Sequence, residues 1–188
     1  MIRPTPDELI SAEGRSIPEV IGQGIRYLFV GINPGLWSGA TGHHFARPGN
    51  RFWPTLHGAG FTPRQLAPDD DTMVVALGIG ITNLVNRTTA KASQVSDDEL
   101  RAGATRLRET VLRSRPAAVA ILGVSAYRVA FGEPAATIGR VAEPLAGAVL
   151  WILPNPSGLN AHYQLPQLVD LFRTFRESAD AGAAIVTA

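Results

Sequence analysis

YLFVGINPG, residues 27–35, joins a short apolar run to an Asn-Pro turn. A second stretch repeats this pattern, since the apolar run AVLWIL at 148–153 leads into NPSGLN at 155–160. Apolar runs of this length, bounded by turn residues, are typical of buried strands. Parallel strands bring their carboxyl ends to one edge of an open α/β sheet, and ligands bind at that edge. The two Asn-Pro turns are therefore predicted to meet in one cleft.

The rest of the chain alternates strand-like and helix-like patterns. The run AAVAIL at 117–122 indicates a third strand, and a fourth is expected within 74–85. Ser96 and Glu99 have the spacing of a capping box, and an apolar stripe at helical spacing follows until Pro116. This alternation predicts an α/β fold with a mostly parallel sheet of about four strands flanked by helices.

Length and composition predict one domain with a sizeable core. The chain has 188 residues, of which 45% are apolar. We expect the domain to span residues 25–178, between an N-terminal extension at 1–24 that packs on or near it and a C-terminal tail at 179–188. No apolar stretch approaches the roughly 20 residues that cross a bilayer, and no signal-peptide pattern opens the chain. The expected location is the cytoplasm.

Several kinds of chemistry find no support in the sequence. The chain has no cysteine, so disulfides, thiolate catalysis and iron–sulfur clusters are excluded. The four histidines lack the spacing that places two imidazoles on one helix face, and we expect no metal. Phosphate-binding loops, dinucleotide fingerprints and Ser-hydrolase elbows are also absent. A net charge of +1 is too mild to announce nucleic-acid binding, although it permits contacts to a few phosphates.

The two turns carry the side chains with the clearest chemical potential. A residue before proline is extended, so Asn33 and Asn155 are each held at the end of a strand. Gly35 and Gly158 allow sharp bends and a close approach of the backbone to a ligand. Carboxamides orient water and form hydrogen bonds, but they do not take a proton at neutral pH. Asn-Pro is also a common turn dipeptide, and each motif taken alone is more often a structural turn than a functional site.

The motifs together resemble one family. From about residue 27 to 175 the chain is similar to the mismatch-specific uracil/thymine-DNA glycosylases, family 2 of the uracil-DNA glycosylase superfamily. The signature GINPGLWSGATGHHFARPGNRFW occupies residues 31–53. Further matches in the order of the family are GITNLV with RT at 80–88, AILG at 120–123 and LPNPSGL at 153–159. Several long motifs in order are far more specific than either turn alone.

The resemblance implies a fold, a reaction and a partner. The fold is a three-layer sandwich. The reaction flips uracil, thymine or an exocyclic cytosine adduct out of double-stranded DNA opposite guanine, and hydrolyses the N-glycosidic bond to leave an abasic site. Flipping a base costs least at a mismatch, which favours G·U or G·T pairs. The implied enzyme is a monofunctional monomer that needs no cofactor and acts on DNA at the bacterial nucleoid.

The resemblance also implies roles for residues in the cleft. Asn33 would hold the attacking water; because it is neutral where the fast uracil-specific branch has an aspartate, slow turnover is expected. The backbone amides of Ile32 and Phe45 would bind the carbonyl edge of the pyrimidine, and the ring of Phe45 would stack on it. Gly35 leaves room where a tyrosine blocks the 5-position in the uracil-only branch. Asn155 replaces the histidine that holds the leaving anion.

A second group of residues completes the implied site. Asn83 belongs to the base pocket, and Gly158-Leu159-Asn160 forms a wedge whose leucine fills the gap left by the flipped base, while its backbone contacts the widowed guanine. The auxiliary positions are Ser38, Asn86 and Ser157. Asn86 stands where close relatives often carry an acidic residue, and Ala161 stands where some carry an arginine, so both predict lower activity.

Two other functions stay open at this point. The neutral Asn33 and Asn86 are also compatible with a weakly active or inactive protein that binds lesions and mismatches. An α/β protein that binds a small nucleoside or nucleotide could use the same sheet edge without DNA. Salt-dependent affinity for a duplex distinguishes this last reading from the other two.

Overall fold

A computed structural model describes the backbone of residues 3–186 and the side chains of residues 3–181. Within these residues the chain forms one central sheet of five strands. The strands are β1 (Tyr27–Gly31), β2 (Ile79–Asn83), β3 (Ala118–Leu122), β4 (Gly139–Arg140) and β5 (Val149–Leu153).

The order of the strands in the sheet is β2-β1-β3-β5-β4. Neighbouring strands are parallel from β2 to β5, and the two-residue β4 pairs antiparallel with β5 at the edge. The predicted α/β fold with a mostly parallel sheet is confirmed. The fifth strand was not expected, because two residues are too few to produce a recognisable pattern of side chains.

Helices cover both faces of the sheet. In chain order they are α1 (Pro6–Ser11), α2 (Leu36–Thr41), α3 (Phe52–Gly58), α4 (Asp97–Ser114), α5 (Val124–Phe131) and α6 (Leu165–Val186). Helix α3 contacts α6, and α4 contacts α5. The capping box at the start of α4 is present: the Ser96 hydroxyl accepts from the Glu99 amide at 3.2 Å, and the Glu99 carboxylate accepts from the Ser96 amide at 2.9 Å.

The strand residues divide between two apolar cores because successive side chains point to opposite faces. Phe29 packs in one core with Phe172 and Phe175 of α6. Leu28 and Val30 belong to the other core, which includes residues of α4 and α5. The arrangement is a helical layer, a sheet and a second helical layer.

The segments outside the predicted domain also have defined structure. Val20 pairs with Ile81 through two backbone hydrogen bonds of 2.9 and 2.8 Å. The predicted tail at 179–188 is helical as far as Val186, since α6 continues through it, and its last two residues lie outside the described part of the chain. No helix among the described residues is long and apolar enough to cross a membrane.

The sheet positions three loops at one edge. Gly31 and Asn83 are in register at the carboxyl ends of β1 and β2, and β5 ends two strands away from β1. The loops that follow β1, β2 and β5 therefore emerge at the same edge of the sheet.

Candidate active site

A cavity of about 380 Å³ lies at this edge of the sheet. Asn33, Asn83 and Asn155 line it, which brings both Asn-Pro turns to one cleft as their spacing predicts. Of the other residues implied by the resemblance, the cavity is also lined by Ile32, Gly35, Ser38, Phe45, Ser157 and Leu159. Those that do not line it are Asn86, Gly158 and Asn160.

Hydrogen bonds fix the orientation of the Asn33 carboxamide. Its Nδ2 lies 3.1 Å from the carbonyl oxygens of Pro34 and Arg87 and 2.7 Å from Thr89 Oγ1. The Thr89 hydroxyl donates its one proton to the Lys91 carbonyl at 2.8 Å, so it can only accept from Asn33. All three partners require a donor, which assigns this atom as the nitrogen. Asn33 Oδ1 accepts no hydrogen bond from the described residues and is available as an acceptor.

The Asn155 carboxamide is held through its oxygen, whereas that of Asn33 is held through its nitrogen. Its Oδ1 accepts from the Ser157 backbone amide at 2.9 Å, which closes a local turn after the proline. Its Nδ2 donates to none of the residues that the structure describes. Asn155 therefore offers a donor to the cleft where Asn33 offers an acceptor.

Asn83 is mostly buried, and its carboxamide has no protein partner. Only 7% of the residue is exposed and it lines the cleft, yet its carboxamide makes no hydrogen bond to the described residues. Its polar atoms are not among the fully buried atoms without a partner, so solvent in the cleft reaches them. Gly31 lies beside Asn83, on β1. A Cβ atom at position 31 would overlap Asn83 Oδ1, so a glycine there leaves room for the Asn83 side chain. The cleft thus holds a polar group that a bound ligand could satisfy.

Phe45 adopts a backbone conformation that is rare for an aromatic residue. Its φ of 55° lies in the left-handed region, where a side chain other than glycine is disfavoured. Its half-buried ring stacks on Phe52 with centroids 3.9 Å apart, and it lines the cleft. Its backbone amide donates to no described residue. The strained turn thus places at the cavity a residue with an aromatic ring and an unpaired amide.

Gly35 leaves open space beside these groups. A Cβ atom at Gly35 would have no neighbour within 4 Å, although the residue lines the cavity. No protein atom occupies the space beside Gly35, so this space is available to a ligand.

The charged side chains that line the cleft are cationic. Arg47 and Lys91 are among its described lining residues, and no aspartate or glutamate is. His44 is neutral at pH 7 because burial lowers the pKa of its imidazole. Its Nε2 lies 2.9 Å from the Pro18 carbonyl, an acceptor, so this nitrogen carries the proton. Among the described residues, no three histidines or acidic side chains are grouped to hold a metal ion.

The loop after β5 is held by one arginine. The guanidinium of Arg51 donates to four backbone carbonyls of this loop: Nη1 to Tyr163 at 2.5 Å, Nη2 to Ser157 at 2.5 Å and to Asn160 at 2.9 Å, and Nε to Pro156 at 3.4 Å. The Arg51 backbone amide adds a bond of 3.0 Å to Pro156. No sequence signal indicated this contact.

The tip of the same loop exposes an apolar side chain. Leu159 is 74% exposed. Gly158 packs so closely on the 47–51 turn that a Cβ atom there would lie 2.5 Å from the Gly49 carbonyl oxygen. The Asn160 amide is already bonded to the Ser157 carbonyl at 2.9 Å, whereas the Gly158 amide donates to no described residue. Of the two amides, only that of Gly158 is free among the described residues.

A sequence profile of the Uracil DNA glycosylase superfamily matches residues 18–178. The chain belongs to this superfamily. The solution NMR structure of a candidate uracil DNA glycosylase from Methanosarcina acetivorans is similar, with a TM-score of 0.58 and 18% sequence identity, over 87% of this chain and 98% of that chain. At this identity the likeness shows the shared fold. Membership in the uracil DNA glycosylase superfamily supports glycosidic hydrolysis on DNA as the activity.

Sequence reasoning on this superfamily member missed Thr89 and the cleft cations. Thr89 falls in the loop after β2, directly after the quoted RT motif, and only the structure shows that its hydroxyl orients Asn33. Asn86 lies three residues before it, half-buried and outside the cleft lining.

Because burial lowers the pKa of His44, we expect the stability of this glycosylase-superfamily protein to depend on pH. The imidazole has an ordinary pKa of about 6.5 when unfolded and a lower pKa when folded, so the unfolded state binds more protons as pH falls. Stability is therefore complete above about pH 6.5 and falls below it until the folded pKa is passed. Asp71 and Glu19 oppose this effect and His43 adds to it.

The measurement is urea unfolding between pH 7.5 and 5. In His44→Gln, a side-chain amide can replace the Nε2 donor to Pro18, so the loss of unfolding free energy on acidification should be smaller than in wild type. Replacement of the exposed His162 by glutamine serves as the matched control. Equal pH dependence in all three proteins would contradict the assignment.

Proposed function

We propose that this protein is a monofunctional DNA glycosylase that removes uracil paired with guanine in double-stranded DNA. The observation that carries the proposal is the carboxamide of Asn83, which lines the cleft without a protein partner, in the same cleft as the oriented carboxamide of Asn33. The superfamily match supports the class of reaction, and the cleft supports the choice of a flipped pyrimidine as the group bound there.

The cleft provides complementary groups for a pyrimidine. The outer edge of uracil presents a carbonyl acceptor beside an N–H donor, and the Asn83 carboxamide has one donor and one acceptor side to match them. Phe45 lines the same cavity with a backbone amide that is unpaired among the described residues, and its ring offers a surface on which a base can stack. The open space at Gly35 would accept a 5-methyl group or an adduct, so thymine and exocyclic cytosine adducts are further candidate substrates.

The proposed reaction replaces a carbon–nitrogen bond by a carbon–oxygen bond. A water oxygen bonds to the sugar C1′, the bond from C1′ to the base breaks, and its electron pair leaves with the pyrimidine as an anion. Asn33 Oδ1 accepts a hydrogen bond from the water and aims its oxygen at C1′. The Asn155 Nδ2 donor stabilises charge on a carbonyl oxygen of the departing base. The water proton passes to solvent or to the anion, because no carboxamide accepts it.

Preference for a mismatch follows from this neutral site. No carboxylate among the described lining residues stabilises the sugar cation, so chemistry is slow and depends on how readily the base leaves the duplex. Extrusion costs a few kcal/mol and is easiest at a mismatch. Leu159 is the wedge that would occupy the vacated space, and Gly158 would contact the guanine.

The experiment is a single-turnover assay on one labelled strand carrying uracil, compared as G·U, A·U and single-stranded U, with G·T alongside. Alkali converts abasic sites into strand breaks. We expect cleavage largely confined to G·U. Cleavage of A·U and G·U at equal rates would contradict the mismatch preference.

A second candidate function rests on the absence of a carboxylate from the described lining of the cleft. A protein with this neutral site could bind and flip mismatched bases while hardly cleaving them. Salt-dependent binding of the G·U duplex with no abasic sites after hours would establish this function instead.

A further inference from the structure

The two cations of the cleft have no partner within the described residues. The side chains of Arg47 and Lys91 are exposed and line the cavity, and neither forms an ion pair or a side-chain hydrogen bond to the part of the chain that is described. Other arginines of the chain form ion pairs: Arg64 with Asp70 at 3.1 Å and Arg87 with Glu99 at 2.8 Å. Because no acidic side chain is among the described lining residues of the cleft, the charge at its mouth favours an anion.

Lys91 and Arg47 belong to opposite sides of the cleft. Lys91 is in the loop after β2, and its carbonyl accepts from Thr89, which holds Asn33. Arg47 is in the turn that packs on the loop after β5 through Gly49 and Gly158. Strands β2 and β5 are separated by three inter-strand steps, or about 14 Å at the usual spacing. Asn33, after β1, lies between the two loops.

We propose that Arg47 and Lys91 bind two backbone phosphates of the DNA strand that carries the flipped nucleotide, one on each side of it. Each strand of a duplex carries one phosphate per 3.4 Å of its axis, so cations on opposite sides of the cleft can meet different phosphates of one strand. Arginine can grip a phosphate through two parallel N–H donors, and lysine binds it as a point charge. The placement around the flipped nucleotide rests on the proposed function.

Such contacts fix position and not sequence. Phosphate contacts set the register of a protein on a duplex, while specificity comes from contacts to bases. Because the whole chain has a net charge of only +1, attraction to DNA is local, and two contacts should account for a measurable part of its salt dependence.

The test measures how duplex affinity depends on salt, with the full chain and a duplex that has a tetrahydrofuran abasic-site analogue opposite guanine. This DNA has no base to remove, so it stays intact. Arg47→Gln and Lys91→Gln should each reduce the slope of log affinity against log salt by about 0.9, and the double variant by about 1.8. Arg140→Gln, at an exposed position outside the cleft, is the matched control and should leave the slope unchanged.

Neutral methylphosphonates, introduced one at a time beside the analogue, locate each contact. When the phosphate that Lys91 binds is made neutral, Lys91→Gln should cause no further loss of affinity, and a different phosphate should behave in this way with Arg47→Gln. Unchanged slopes, a slope change equal to that of Arg140→Gln, or no binding of this duplex would overturn the proposal.

The proposed phosphate contacts and the proposed reaction can fail separately. Reduced slopes in a protein that cleaves no uracil would support the phosphate sites and refute the glycosylase function. Cleavage of G·U by a protein whose slopes do not change would support the glycosylase function and refute the phosphate sites.

Discussion

Asn33→Ala is expected to lower the single-turnover rate of cleavage on a G·U duplex by at least about 100-fold, while affinity for that duplex changes by less than about threefold. The change removes the carboxamide oxygen that is proposed to hold the attacking water. It does not alter Asn83, Phe45 or the cations at the mouth of the cleft, which are proposed to bind the DNA. The measurement combines single-turnover cleavage with equilibrium binding of the same labelled duplex.

The same variant also removes three hydrogen bonds, two of which go to the loop after β2. Nδ2 of Asn33 bonds to Pro34, Arg87 and Thr89, so some loss of stability, on the order of 1–3 kcal/mol, is expected. Circular dichroism and urea unfolding separate that effect from catalysis. Thr89→Val is the matched variant, because it removes one acceptor and leaves two carbonyls to orient the amide. It should reduce the rate less than Asn33→Ala does. Equal losses of binding and cleavage in Asn33→Ala would refute the role of water positioning.

The parts of the fold that could be predicted from sequence are those that repeat along the chain. Buried strands require uninterrupted apolar runs, and these located β1, β3 and β5 correctly. The convergence of Asn33 and Asn155 on one cleft followed from parallel strand topology, because that topology leaves one edge for both turns. Their chemical roles did not follow from periodicity and depended on the resemblance to a family.

Other features depend on geometry that no short pattern encodes. The region 74–85 was expected to contain a strand, and it does, but the apolar residues before Gly78 form a 3-10 helix, Pro68–Leu77, which ends where Gly78 turns into the left-handed region at φ 74°. The direction in which the Asn33 carboxamide faces depends on the Arg87 carbonyl and the Thr89 hydroxyl, both more than fifty residues away in the chain. Hydrogen bonds between distant loops depend on how the folded loops pack against each other, which a local sequence pattern does not encode.

Arg51 is the clearest example of a contact between distant segments, and its replacement is the second change with a large expected effect. Arg51→Ala should reduce cleavage of the G·U duplex at least about tenfold, since it removes the guanidinium from four carbonyls of the loop after β5. The carbonyls of Asn160 and Tyr163 then have no donor among the described residues. The loop would then lose the geometry that presents Leu159. Fluorescence of 2-aminopurine placed next to the uracil reports base flipping directly, and we expect it to fall with the rate.

Two companion variants test whether Arg51 acts by positioning the Leu159 wedge or through its positive charge. Arg51→Lys keeps the positive charge but has no planar fork to span four carbonyls, so it should not restore flipping. Leu159→Ala should weaken flipping and duplex affinity, because it removes the apolar side chain that fills the gap. If Arg51 acts by placing Leu159, the variant that combines Arg51→Ala with Leu159→Ala should lose little more activity than the worse of the two single variants. Both changes would then remove the same wedge contact. Rescue by lysine together with additive losses would show that Arg51 acts on DNA through its charge and that the loop holds its shape without it.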